Sequence, residues 1–427
     1  MEKIKLGDVI DVKRGASLSG EFYSEAGDKI RLTLGNFNYP GGGFKKNTSK
    51  ADIYFTGEVK SEYILKKGDV ITPLTEQVAG LLGETATIPE DNLYIQSGDV
   101  GLILPNERRI HKRFAYYLLA SPSVKKQLGA AAQQTKIRHT SPEAIKDCKA
   151  YLPDLDTQEA IAGLMDNIND KILNNNAICS ELESTAKLLY NYWFVQFDFP
   201  DENGKPYKSS GGKMVWNEQL KREIPAGWEV GTFSKCIESI NTGLNPRDNF
   251  KLNTGGNIRY ITVKNLTKDG TIDFSGCDFI DENARAIVHR RSNIQIGDIL
   301  FASIAPLGRC HIIKEQPKTW DINESVFSIR PNYKNMTSNY LYMTFVDNTF
   351  VKKAERNSTG SVFKGIRIND LIDLKTIVPP IKILNKFDDA IEKLFELKNN
   401  IFNENEQLAS LRDWLLPMLM NGQVTVK

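Results

Sequence analysis

The sequence repeats itself, and a duplicated chain folds as two copies of one architecture joined by whatever lies between them. Leu152-Pro153 closes one segment and Val378-Pro379-Pro380 another, with Pro153 and Pro379 226 residues apart. Gly68-Asp69-Val70-Ile71 recurs 229 residues on as Gly297-Asp298-Ile299-Leu300, and Phe114-Ala115-Tyr116-Tyr117-Leu118 recurs 226 residues on as Tyr340-Leu341-Tyr342-Met343-Thr344. Gln133–Arg138 faces Thr359–Lys364 at that same offset, so one insertion of three residues accounts for the drift.

Each copy reads as a mixed α/β domain in an α+β chain. Short β-branched and aromatic stretches, Tyr63–Leu65, Gly68–Thr72, Leu93–Ile95 and Val100–Leu104, alternate with Gly, Asp, Asn and Pro turns, as do 258–263, 298–304 and 325–330. Apolar residues at helical spacing predict helices over 110–120 and 337–347. Behind each closing proline comes a long helix. In the first, Ile161, Met165, Ile168, Ile172, Asn175, Cys179, Leu182, Ala186, Leu189 and Trp193 alternate at spacings of four and three, a coiled-coil seam. The second offers Phe387, Ile391, Leu394, Ile401, Leu408 and Leu415, interrupted by Lys398, Asn405 and Arg412. The expected partner of the second helix is the first, with Asn175 fixing register at some loss of stability or facing solvent at a kink. The expected layout is a first domain over 1–155, a helix over 156–197, a turn-rich linker over 198–227, a second domain over 228–380 and a second helix over 381–422.

A chain of 427 residues can bury a core in each copy without staples. Its five cysteines form no C-x-x-C pair, which fits a reduced interior and predicts a cytoplasmic protein. No uncharged apolar run approaches membrane-spanning length, so no membrane role is expected. The net charge of +2 is unevenly placed. Residues 1–155 carry 22 Lys+Arg against 19 Asp+Glu and residues 226–380 carry 20 against 16, leaving 13 against 18 elsewhere. The domains are mildly basic and the helices acidic, which favours a polyanionic partner without proving one.

The search for catalysis returns little. Gly15-Ala16-Ser17-Leu18-Ser19-Gly20 has phosphate-loop glycine spacing, but Glu21 stands where a lysine must neutralise phosphate. Gly41-Gly42-Gly43 lacks a strand-to-helix context, and His111, His139, His289 and His311 are too scattered for a metal motif. Asp154, Asp156 and Glu159 suit the positive end of a helix. No Asn-Pro-Pro-aromatic methyltransferase motif occurs. Neither a catalytic residue nor a cofactor or metal is expected. A duplicated α+β enzyme acting alone and a coiled-coil adaptor for proteins are the competing readings.

Several strings in order carry a resemblance: the two Gly-Asp turns, Leu152-Pro153 before Gln158-Glu159-Ala160-Ile161, and Leu189-Tyr190-Asn191-Tyr192-Trp193-Phe194. Pro225-Ala226-Gly227-Trp228-Glu229 and Leu408-Ala409-Ser410-Leu411-Arg412-Asp413-Trp414-Leu415-Leu416-Pro417 complete them. Nearly the whole chain thereby resembles the specificity subunit of type I restriction-modification systems. It departs where Ile381-Lys382-Ile383-Leu384 replaces the glutamine region, and where the first copy lacks a Pro-x-Gly-Trp opening. The resemblance implies two target-recognition domains, each reading half of a bipartite site in double-stranded DNA, separated by two antiparallel helices. It also implies two DNA adenine methyltransferase subunits docked on the helices, and restriction subunits with ATP-dependent translocation and cleavage.

Cations supply salt-sensitive phosphate affinity, and Arg, Asn, Gln and Ser supply base-edge hydrogen bonds. The DNA-binding candidates are Arg14, Lys45, Lys46, Gln77, Lys136 and Arg138 in the first copy, and Arg247, Lys264, Arg309, Lys364 and Arg367 in the second. Arg138 and Lys364 are matched by the repeat. Tyr116, Tyr117, Tyr340 and Tyr342 sit at helical spacing beside leucines and are expected in the core.

Overall fold

The computed structural model describes every residue except 40, 48–51, 77–79, 132–137, 359–364 and 427. Two compact units emerge, residues 1–175 with 403–427 and residues 176–402. Each holds one globular head and a share of both long helices.

In the first head β1 (Glu2–Lys5), β2 (Ile10–Arg14) and β3 (Ile30–Arg31) are followed by β4 (Val70–Pro73), β5 (Ala86–Thr87), β6 (Tyr94–Ile95) and β7 (Val100–Pro105). Helix α1 (Lys112–Leu119) and the closing strand β8 (Lys149–Leu152) come next. The main sheet runs β2-β7-β4-β5, β1 pairs antiparallel with β8, and β3 pairs parallel with β6. Helix α2 (Leu155–Tyr190) leaves the head, its start capped by Asp154 Oδ1 accepting from the Thr157 amide at 2.9 Å. That is the role expected of an acid at a positive helix end.

The second head repeats the plan with β9 (Glu229–Thr232), β10 (Ile237–Thr242), β11 (Ile258–Ile261), β12 (Ile299–Ala302), β13 (Cys310–Ile312), β14 (Trp320–Ile322) and β15 (Val326–Pro331). Helix α3 (Ser338–Val346) and β16 (Lys375–Val378) precede α4 (Ile381–Met420). Its sheet runs β10-β15-β12-β13, β9 pairs with β16, and β11 pairs parallel with β14. Strand for strand this is the order of the first head, so the duplication holds at the level of topology. Tyr116, Tyr117 and Tyr340 are buried as expected, and Tyr342 is half-buried.

The helices pair antiparallel inside each unit. In the first, Asn169 Oδ1 accepts from Arg412 at 3.5 Å and, further along α2, Asn175 donates to Asn405 Oδ1 at 2.9 Å, so rising numbers on one helix meet falling numbers on the other. In the second, Glu183 meets Lys398 at 2.6 Å and Trp193 packs on Phe387 at 5.6 Å between ring centroids. Ile161, Met165, Ile168, Phe387, Ile391 and Ile401 are buried, while Ile172, Leu182, Leu189, Leu394, Leu408 and Leu415 are half-buried along the seam. Both helix ends are core material. Leu419 and Met420 pack with Ile4, Leu6 and Phe114, whereas Tyr190, Trp193 and Phe194 pack with Tyr340 and Phe387.

Two local readings differ. Tyr63 ends a 3-10 turn, Ser61–Tyr63, and the segment then meets the 94–96 stretch through an Ile64–Ile95 bridge, with Leu65 N donating to Tyr94 O and Gln96 N to Tyr63 O, both at 2.9 Å. Residues 198–227 carry a hairpin, Met214–Asn217 against Arg222–Pro225, and Phe199 stacks between Tyr207 and Trp228 at 4.7 and 5.0 Å. The turn residues there suggested only a linker, but the aromatics among them bury the segment against the second head.

Candidate nucleic-acid interface

In each head one end of the sheet carries the loops of several candidate residues. In the first, β2 ends at Arg14 opposite Gly101, and the chain then threads past Gln96–Ser97, the Gly15 and Ala16 amides donating to Val100 O (3.2 Å) and Gln96 O (3.0 Å). A Cβ on Gly15 would sit 2.3 Å from the Ser97 carbonyl, so only glycine fits. Gln96, fully buried, locks this crossing by donating to Lys13 O (2.6 Å) and Val100 O (2.9 Å). Arg138 arrives at the same end, on a short strand pairing with Thr75–Glu76, while His139 lies 3.2 Å from the Thr75 hydroxyl.

The second head reproduces this end. Gly243 follows β10, its amide donating to Asn323 O at 3.1 Å, and a Cβ there would sit 1.7 Å from the Ile322 carbonyl. Gly365 bridges to Ile304, and the Ile366 amide donates to Ser303 O at 2.8 Å. Arg367, exposed, starts the short helix Ile368–Ile372. Arg247 is exposed in the loop after Gly243, where Asn245 donates to Glu324 at 2.7 Å. Lys264 is exposed on the turn Val263–Asn265, and Arg309 reaches the Leu266 carbonyl at 3.1 Å.

The candidates therefore differ in freedom. Arg14, Lys45, Arg247, Lys264 and Arg367 are exposed or half-exposed with no ion pair in view among the described residues. Arg138 is half-committed, 3.4 Å from Glu76, whose buried carboxylate also accepts from the Gly80 and Leu82 amides. Lys46 pairs loosely with Glu90 at 3.7 Å, away from the Arg14 end. Gln77, Lys136 and Lys364 lie outside the described residues. Sequence reasoning passed over Gly243 and took Gly15 for a doubtful phosphate loop. The signal available was their matched position in the repeat.

Burial pushes the thiols of Cys148 and Cys236 up to about 11, leaving them poor nucleophiles. His311 is pushed down to about 4 by burial, its Nδ1 donating to Gly270 O at 2.9 Å. His289 braces buried Asp321 at 2.9 Å, which also accepts from Ser292 at 2.6 Å, an arrangement that ties a helix to β14. Among the described residues no cluster of three or more His, Cys, Asp or Glu could hold a metal, and no helix is long and apolar enough to cross a membrane.

Known proteins share this plan. The family described as "Type I restriction modification DNA specificity domain" matches twice, over residues 1–184 and 225–407. The MjaIX specificity subunit of a type I restriction enzyme from Methanocaldococcus jannaschii is 24% identical over 339 residues, 76% of this chain and 72% of that protein. The HindI specificity subunit of Haemophilus influenzae is 22% identical over 412 residues, 84% of this chain and 87% of its own. The crystal structure of a type I restriction-modification S subunit from M. genitalium superposes with a TM-score of 0.56 at 16% identity, covering 98% of this chain and 96% of that one. With both matched stretches falling on the two copies of one topology, this chain belongs to the family of type I restriction modification DNA specificity proteins.

Proposed function

We propose that each head reads one half of a bipartite site in double-stranded DNA, and that the chain itself performs no chemistry. The observation that carries this reading is the matched placement of exposed cations. Arg14 and Arg138 in one head, and Arg247 and Arg367 in the other, lie by the equivalent end of the same four-stranded sheet. Loops carried on a rigid sheet are where recognition residues are tolerated, and arginine there can serve phosphate and guanine alike. Methylation and ATP-dependent cleavage then fall to partner subunits, two adenine methyltransferases and the restriction subunits. The helices offer them apolar footing. Leu173, Leu411 and Trp414 in the first unit, and Ile178, Leu188 and Leu397 in the second, are exposed on helices whose inward faces are already filled.

Selection of randomised duplexes by the full chain, with and without co-expressed methyltransferase, tests the reading. Two short half-sites around an unread gap are expected, with affinity falling steeply as salt rises, a log–log slope of about −0.9 per phosphate neutralised. A single continuous motif, or binding indifferent to salt, would contradict it.

A further inference from the structure

The two heads share a second duplicated device. After the turn Leu34–Asn36 in the first head and Val263–Asn265 in the second, the chain makes a hairpin. Phe37 bridges Phe44 in one, Leu266 bridges Ile272 in the other. The stems match bond for bond. Asn38 N donates to Gly43 O at 3.0 Å and Lys45 N to Asn36 O at 2.9 Å, as Thr267 N does to Thr271 O at 3.0 Å and Asp273 N to Asn265 O at 2.8 Å. Exposed lysines flank both hairpins: Lys45 and Lys46, Lys264 and Lys268.

Each hairpin tip carries a glycine at positive φ, Gly42 (+73°) and Gly270 (+78°), resting against the hydroxyl of the equivalent tyrosine, Tyr116 or Tyr342. Each tip is also gripped by a cation from α4. Arg412 Nη1 donates to Gly41 O at 3.2 Å, and Lys398 Nζ donates to Asp269 O. The side chains of Arg412 and Lys398 are only 17% and 13% exposed, unusual for cations on a helix, and both are held from α2, by Asn169 and Glu183 respectively. They are two of the three residues that interrupt the apolar seam of α4. Their placement gives that interruption a purpose: hydrophobic side chains could not reach a backbone carbonyl across the groove.

We propose that Arg412 and Lys398 are positioning residues, each tying the lysine-flanked hairpin of one head to the long-helix pair so that the hairpin is held ready for DNA. The inference rests on the recognition reading above for its purpose, but not for its geometry. Each clamp lies within one structural unit, so each acts on its own half-site.

Hydrogen exchange on the full chain tests the geometry, and duplex selection tests the purpose. Arg412→Ala should speed exchange of the Asn38, Gly42 and Gly43 amides at least about tenfold, the fold-change expected for losing a charge-assisted hydrogen bond, and leave the Thr267 and Thr271 amides unchanged. Lys398→Ala should do the reverse. Arg412→Lys and Lys398→Arg, which keep a donor, should restore protection. In selection, the first variant should blur one half-site and the second the other. Both hairpins responding equally, neither responding, or no rescue by the conservative changes would overturn the clamps. A wild-type chain without sequence preference would sink the recognition reading instead, with the exchange data still deciding the clamps.

Discussion

Asn175 is 1% exposed in a seam of apolar residues, and it is kept there by donating to Glu404 Oε2 at 2.7 Å and Asn405 Oδ1 at 2.9 Å. A buried amide left without partners costs about 1–3 kcal/mol, so the pair is stabilising only in one register. Asn175→Ala, which removes two hydrogen bonds worth about 0.5–1.5 kcal/mol each net, should destabilise the chain by about 1–3 kcal/mol in urea denaturation, and a double-mutant cycle with Asn405→Ala should show coupling of about 0.5 kcal/mol or more. Additive losses would mean the two amides do not set register. Asp388, half-buried, is a second polar residue with a readable consequence. Burial, reinforced by Glu392 and opposed by the Thr337 hydroxyl donating at 3.0 Å and by Lys314, raises its carboxyl from 3.8 to about 6. The folded state thus holds this proton more tightly than the unfolded chain. Its contribution is full below pH 3.8 and lost as pH rises past about 6. Asp388→Asn, which keeps the shape and cannot ionise, should raise the melting temperature at pH 7 and lose that advantage towards pH 4. An advantage that is the same at both pH values would remove burial as the cause.

At the scale of elements, β2 and β10 show why the sheet ends where it does. Each strand stops at a glycine that passes beneath a carbonyl of the neighbouring segment, Gly15 under Ser97 and Gly243 under Ile322. The tighter approach is the second, so Gly243→Ala should cost about 2–4 kcal/mol or abolish soluble expression, with Gly15→Ala milder; thermal denaturation distinguishes the two. The long helices were legible because a seam is a local pattern, spaced by threes and fours over many turns. The head sheets were legible only in outline. Strands such as Ile30–Arg31 and Tyr94–Ile95 are two residues long and pair in parallel across 64 positions of sequence, which no alternation of apolar and polar residues can announce. Gln158 shows the middle case. As a string it marked the family; in the fold it is fully buried, accepting from the His111 amide and donating to Arg109 O and Pro153 O, which fastens the start of α1 to α2. Leu384, at the repeat-matched position, is equally buried, in the second head's core. Candidate cations were read by residue type and loop context. Their pairing with carboxylates, as for Arg138 and Glu76, depends on strands brought together from 62 residues apart.

For the molecule as a whole, duplication was the strongest signal in the sequence, and it is the organising fact of the fold. If the paired length of the helices sets the gap between half-sites, removing one matched heptad from each should shorten the unread spacer while both half-sites stay as they were. An unaltered spacer in duplex selection would deny them that role. A different consequence follows from where the helices end. Tyr190 at the close of α2, and Trp193 and Phe194 in the π-helical turn Asn191–Val195 that follows, lie in one core with Phe387 and Ile391 from the start of α4, and with the second head. A head trimmed at its closing proline therefore loses part of its own interior. Residues 176–402, by contrast, form a compact body with both helix segments attached. That body is a cartridge: grafted between relatives at 175/176 and 402/403 it should stay folded and carry its DNA preference along, whereas a graft cut at Pro379 should melt tens of degrees lower or aggregate. Evolution of new addresses in such a chain would then proceed by trading cartridges whose seams fall mid-helix, where only a stripe of side chains has to agree.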